Sequence, residues 1–333
     1  MSGGIAQLVA IGAQDAHIVG QPEVSFFRSN YKRHTNFAQT VERQVVQGNP
    51  ASGGMSTVRF ERKGDMLGYV YVASRANTTA NLSGYVSKVE LLIGGQVIDT
   101  QEKIFIEDLA PTVMDQTYSR QSHAKSQSRF IPLRFSFCEN AQSAIPLVAL
   151  QYHDVELRIT WGTLTATDME VYAQFIHLDT DERTSLANTP QNMLVTQTQK
   201  AVASNSGIQE LNFNHPVKYL VCHNGASEFG TQKMKLQING TDVTDAKSIV
   251  PHFTKVPIYY HTQNANSNGE AVILVPFCLD TSKLQPTGSL NFSRLDSARL
   301  VFEGSANFSA DFYGVNYNIL RIENGMGGLM YSN

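Results

Sequence analysis

From residue 41 to residue 178 apolar and polar positions alternate in short runs with a period of two, the spacing that sends every second side chain to one face of a β-strand. Runs at 41–46, 57–61, 69–73, 86–93, 96–99, 130–137, 155–161 and 171–178 predict eight strands. A helical pattern over 104–118 interrupts them, with Glu107 and Asp108 near its start and Pro111 limiting its length. The same grammar returns after residue 194. Runs at 208–213, 217–222, 234–238, 241–243, 256–261, 272–277, 298–302 and 315–322 predict eight more strands.

The two series meet in a stretch, 175–194, whose polarity changes abruptly. It begins as the end of an apolar strand, becomes polar over 179–184, and reaches Pro190, which pushes Thr189 out of the helical region. Asp179, Asp181, Glu182, Arg183 and Pro190 are read as an inter-domain junction that sets the second unit against the first. A chain of 333 residues fits two domains, at about 150 residues each.

Positions on either side of the junction correspond at nearly constant spacing. Leu91 to Asp99 aligns with Leu236 to Thr244 at a spacing of 145, which sets the turn Gly94-Gly95 against Asn239-Gly240. Both pairs suit a two-residue hairpin turn, where positive φ is required. Cys138, Leu150 and Tyr152 align with Cys278, Leu290 and Phe292 at 140, and Val171, Phe175 and Leu178 with Val315, Ile319 and Ile322 at 144. A tandem duplication follows. The expected fold is all-β: two tandem eight-stranded antiparallel jelly rolls with a few short helices. An immunoglobulin-type sandwich is the alternative, but a helix inserted after the fifth strand suits the jelly roll better. The expected domains are an N-terminal arm (1–20), a first jelly roll (21–187) and a second jelly roll with a C-terminal tail (188–333).

Composition narrows the function. Only 17% of residues are charged against about 25% in ordinary soluble domains, as expected where much surface is covered by other subunits. The net charge of -3 argues against a general nucleic-acid binder. The most basic segment, residues 28–34, reads as a solvated loop. Cys138, Cys222 and Cys278 are too far apart to imply a disulfide framework or zinc site, and a reducing compartment is expected. No signal peptide or membrane span is evident. The sequons at Asn77, Asn81, Asn239, Asn291 and Asn307 are taken as chance matches. The arm, rich in Gly and small apolar residues, is expected to lie against its own domain or a neighbour.

Catalytic signatures are missing from the sequence: there is no G-x-S-x-G, no phosphate loop, no G-x-G-x-x-G after a strand and no H-E-x-x-H. A two-domain cupin would need clustered metal ligands, and the 9 histidines include no His-x-His pair. His153 beside Asp154 and Glu156 reads as a satisfied strand-end residue, because side chains alternate across a strand. Glu107-Asp108 reads as a helix start, and Trp161 as core. No catalytic, cofactor or metal residue is assigned.

Six segments resemble the major capsid protein of nucleocytoplasmic large DNA viruses: GGIAQLVAIGAQD at 3–15, FFRSNYKRHTNF at 26–37, VELLIGGQVID at 89–99, IPLVALQYHDVEL at 145–157, TGSLNFSR at 287–294 and YGVNYNILRIENGMGGLMYSN at 313–333. The resemblance implies a double jelly-roll protomer, a homotrimer, and pseudo-hexagonal capsomers tiling an icosahedral shell over an internal membrane. It implies neighbouring capsomers, minor capsid and penton proteins as partners, no direct contact with nucleic acid, no cofactor, and assembly in the host cytoplasm into the virion. Three copies of a two-jelly-roll chain present six similar wedges about one axis, a nearly hexagonal outline. A jelly-roll carbohydrate-binding or attachment protein is the alternative, with a cupin-type enzyme third.

Overall fold

A computed structural model describes residues 12–75, 82–114, 130–164, 168–223, 232–263, 272–304 and 309–332. Asn77, Asn81, Asn307, residues 1–11 of the arm and residues 115–118 of the expected helix lie outside these. The chain divides into a unit ending at Asn36 and a second unit, Phe37–Asn333. In the first, residues 12–36 are solvent-exposed throughout, including Phe26, Phe27 and Tyr31, and the helix Ala16–Val19 is a single turn.

The second unit opens with β1 (Phe37–Gln44), β2 (Val46–Gln47), β3 (Met55–Arg59), β4 (Met66–Ser74), β5 (Val86–Ile93), β6 (Gln96–Glu102), β7 (Phe130–Pro132), β8 (Ile145–Pro146), β9 (Val155–Trp161) and β10 (Met169–Leu178). These form two antiparallel sheets, ordered β1-β10-β4-β7 with β8 on β4, and β2-β3-β9-β5-β6. β9 buries every second residue. Leu157, Ile159 and Trp161 of that strand share a core with Val70 and Val72 of β4 and Val171 and Phe175 of β10, so the sheets pack face to face.

The chain then repeats the plan. β11 (Gln191–Ala201), β12 (Ile208–Glu210), β13 (Pro216–His223), β14 (Lys233–Ile238), β15 (Thr241–Asp242), β16 (Lys247–Ser248), β17 (Val272–Pro276), β18 (Leu290–Asn291), β19 (Ala298–Glu303), β20 (Phe312–Glu323) and β21 (Met326–Leu329) follow. Their sheets are ordered β11-β20-β13-β17, with β18 on β13 and β21 on β20, and β12-β19-β14-β15, with β16 on β14. In both halves the first strand pairs with the last long strand, and the hairpin β5–β6 has its counterpart in β14–β15. This is a double jelly roll, all-β with a few short helices.

The hairpin turns are equivalent in detail. Ile93 pairs with Gln96 and Ile238 with Thr241. Gly94 and Gly95 have φ of 58° and 82°, and Asn239 and Gly240 have 49° and 77°, the left-handed values of a two-residue hairpin turn.

Several elements differ from the sequence expectation. The spacing of 144 pairs Val171, which faces the first core, with Val315, which belongs to the cluster on the other side of its sheet. Because facing alternates along a strand, the equivalence needs an odd offset, as in the 145 of the hairpin. At that offset Val171, opposite buried Gln44, matches Asn316, opposite buried Gln197.

The run 256–261, expected as a strand, lies in the helix Lys255–His261: Ile258 and Pro257 turn inward, and His261 Nδ1 lies 3.0 Å from the Cys278 carbonyl. The run 130–137 is a strand only to Pro132, after which Leu133 N makes one more bond, to the Val70 carbonyl at 3.0 Å; Ser136–Glu139 is a helical turn. Residues 104–113 form a π-helical turn, Phe105–Leu109, leading into the helix Ala110–Val113, which has Pro111 in its first turn. The polar stretch after Leu178 is the helix Thr180–Asn188, and β11, which follows, has no counterpart in the predicted runs.

Candidate assembly interface: the seam between the jelly rolls

Among the described residues, the contacts that join the two jelly rolls include three. The first is apolar. Phe105, Leu109, Ala110 and Val113 leave the first jelly roll after β6 and pack on the outer face of the sheet β11-β20-β13-β17, against Tyr219, Val221, Val272, Leu274, Tyr313 and Val315. Glu107, on the same turn, is buried and accepts from Ser83 Oγ at 2.6 Å and Gly84 N at 2.7 Å, which anchors the segment to its own domain. Its carboxylate therefore serves local structure.

The second contact is polar and runs along β6 and β11. Asp99 is buried; its carboxylate accepts from Thr198 N at 2.7 Å, Thr100 N at 2.9 Å and Gln101 Nε2 at 2.9 Å. Burial pushes the acid up to about 6 although the three N–H donors favour the ionised form. Gln197 Nε2 donates to the Ile98 carbonyl, and Asn318 Nδ2 donates to Gln197 Oε1. At the far end Lys200 Nζ lies 2.8 Å from Glu102 and 2.9 Å from Asp311. Tyr313 donates to Glu102 at 2.9 Å; burial first, and that hydrogen bond second, raise its phenol pKa.

The third contact is the C-terminal hairpin β20–β21, which reverses at Asn324-Gly325 in left-handed conformation and lies on the β5–β6 hairpin. Tyr152 N donates to the Gly325 carbonyl at 2.9 Å, His153 Nδ1 lies 2.9 Å from the Gly327 carbonyl, and Leu329 N donates to Gln96 Oε1 at 3.1 Å. Leu320 and Ile322 of β20, with Val195 of β11, complete the core of the first jelly roll. Gly94 sits under the His153 ring, and Gly327 under Leu150 and Ile93; neither leaves room for a Cβ.

The junction residues lie apart from these contacts. Asp179 caps the helix Thr180–Asn188, its Oδ1 accepting from Thr180 N at 2.8 Å. Asp181 and Glu182 occupy the first turn, where acidic groups suit the helix dipole. Arg183 pairs with Asp65 of the first jelly roll, Nε to Oδ1 at 2.8 Å and Nη2 to Oδ2 at 3.0 Å. Pro190 is exposed just before β11. These residues end one domain and hold the linking helix to it, while the setting of the second jelly roll is carried by β6, β11, 105–113 and the C-terminal hairpin. Gly94, Gly95, Asn239 and Gly240 occupy the two hairpin turns.

Asp99, Glu102, Gln197, Thr198 and Lys200 do not stand out in the sequence. One signal is present: Thr196, Gln197, Thr198 and Gln199 alternate small and long polar residues, a pattern compatible with a strand whose faces meet polar partners. Among the described residues no three His, Cys, Asp or Glu side chains gather as a metal site.

A duplicated jelly roll fastened into one body along such a seam defines the double jelly-roll class of shell-forming proteins. Two family models match: "Major capsid protein N-terminus" over residues 25–206 and "Large eukaryotic DNA virus major capsid protein" over residues 224–328. The chain is 32% identical to a major capsid protein of Pyramimonas orientalis virus and 29% identical to one of Paramecium bursaria Chlorella virus 1, each over the full length of both proteins. A solved chain of the latter virus's capsid superposes with a TM-score of 0.77 at 25% identity, over 93% of this chain and all of that one. The chain belongs to the major capsid protein family of large eukaryotic DNA viruses, and its role is structural rather than catalytic.

Proposed function

We propose that three copies of this chain close about a threefold axis into a pseudo-hexagonal capsomer, and that such capsomers tile an icosahedral shell. In this assembly residues 21–187 and 188–333 are the two wedges of each chain, and the arm over 1–20 lies beneath the trimer. The equivalence of the two sheet pairs carries the proposal: six units of one design around an axis need one kind of neighbour contact, made three times within chains and three times between them. The exposed Phe26, Phe27 and Tyr31 support burial of the N-terminal unit in an assembly. Neighbouring capsomers, minor capsid and penton proteins are the partners, with an internal membrane close by. A net charge of -3 fits a shell that makes no direct contact with nucleic acid. The protein is then synthesised and assembled in the host cytoplasm and resides in the virion.

Light scattering on the purified protein tests this: a mass three times that of one chain is expected. A stable monomer under mild conditions counts against it.

A further inference from the structure

Within one chain, the outer face of the sheet β11-β20-β13-β17 lies under residues 105–113. The equivalent face of the first jelly roll, on β1-β10-β4-β7, carries Tyr69 and Tyr71 of β4 and Tyr172 of β10. Tyr71 stacks on Tyr172 at 5.3 Å between ring centroids and on Tyr69 at 6.4 Å, and Tyr69 is 41% exposed. The segment equivalent to 105–113 follows β16 and includes the helix Lys255–His261. Its Tyr259 and Tyr260, edge to face at 4.9 Å, are 78% and 72% exposed. The adjoining hairpins show the same asymmetry. Ile98 is 3% exposed beneath β11, whereas Val243, its counterpart at the spacing of 145, is 56% exposed.

Among the described residues, each half of the intrachain contact thus has an equivalent left open: an aromatic sheet face on the first jelly roll and an aromatic helix on the second. We infer that Tyr259 and Tyr260 of one copy dock on the Tyr69, Tyr71 and Tyr172 face of another, repeating between chains the contact that 105–113 makes within one. The inference rests on the trimeric reading and assigns the surfaces that close it. The contact is heterologous, second jelly roll to first, so each copy gives one half and receives the other. Aromatic rings suit both sides, because they bury a large apolar area with few rotatable bonds and pair edge to face or offset.

The test places the photo-crosslinker p-benzoylphenylalanine at Tyr71 in the full chain and maps the products by mass spectrometry. A crosslink between chains to a peptide containing Tyr259 and Tyr260 is expected. In parallel, the double variant Tyr259→Ser/Tyr260→Ser should associate at least tenfold more weakly while keeping the unfolding midpoint of the monomer, since both side chains face solvent there. If the wild-type protein is a trimer but position 71 crosslinks elsewhere, to residues 12–36 for example, or not at all, the docking assignment is wrong and the trimer stands. A double variant as trimeric as the wild type overturns the docking assignment in the same way. A wild-type protein that stays monomeric removes both.

Discussion

The Asp99 carboxylate accepts a hydrogen bond of 2.7 Å from the backbone N–H of Thr198, so a side chain of the first jelly roll partners the edge strand of the second. An edge strand carries a row of unpaired backbone groups, and β11 has its sheet partner on one side only. The hydrogen bond closes part of that edge and costs the burial of a carboxylate.

That cost makes the seam pH-dependent. The acid is raised from 3.8 to about 6 in the folded chain, so its protonated form is favoured by folding. Its contribution to stability is fully present below pH 3.8 and is lost as pH rises through about 6. The interval corresponds to about 3 kcal/mol. Urea unfolding of wild type and Asp99→Asn across this range should show a stability difference between them that changes by this order. Parallel pH profiles would contradict the assignment.

The glycines of the first hairpin turn have different duties. Gly95 has open space where a Cβ would go, so Gly95→Ala meets only left-handed strain, about 1–2 kcal/mol. A Cβ on Gly94 would fall 2.5 Å from His153 Cγ, so Gly94→Ala should cost about 3 kcal/mol or more and loosen the C-terminal hairpin that His153 holds. Chemical denaturation of the two variants should rank them in that order; equal losses would count against the role of His153.

Gly327→Ala should act on the same latch from the other side. The added methyl would sit 2.7 Å from Leu150 Cδ2 and 3.3 Å from Ile93 Cγ2, an overpacking cost of about 1–3 kcal/mol. Hydrogen exchange should speed up over residues 326–329 before the β9 core responds. Uniform acceleration would mean that the hairpin is not a separately opening unit.

Asp65 and Arg183 form an unequal pair. Arg183 is half exposed, and Arg183→Ala should cost about 0.5–1 kcal/mol. Asp65 also accepts from Leu178 N at 2.8 Å, so Asp65→Ala leaves a strand-end N–H without its partner and should cost about 1–2 kcal/mol more. Thermal unfolding of the two variants decides this, and equal shifts would remove the second role of Asp65.

The sequence is most legible where one side of an element meets a core and the other meets water. Strands β5 and β9 lie where the alternation places them, and the turns at Gly94-Gly95 and Asn239-Gly240 follow from the residues that tolerate positive φ. Legibility fails where tertiary partners satisfy polar groups or cover apolar ones. β11 escapes the alternation because Gln197 and Gln199 occupy inward positions, where Gln197 bonds to Ile98 and Gln199 donates to Asn214 and Asn316. The run 256–261, β-branched and aromatic, resembles a strand by propensity, yet the packing of Ile258 against the Val272 and Leu274 cluster holds it as a helix.

By itself, then, the sequence determined the strand grammar, the tight turns and the duplication, because each is written in neighbouring residues and a repeated spacing. Tertiary structure alone decided the one-residue register of the repeat, the helical state of 255–261, and the seam that makes two jelly rolls one body. The reason is distance along the chain. Asp99 and Thr198 are 99 positions apart, and His153 and Gly327 are 174 apart. The hydrogen bonds that Asp99 and His153 make exist only once the partner strand has arrived.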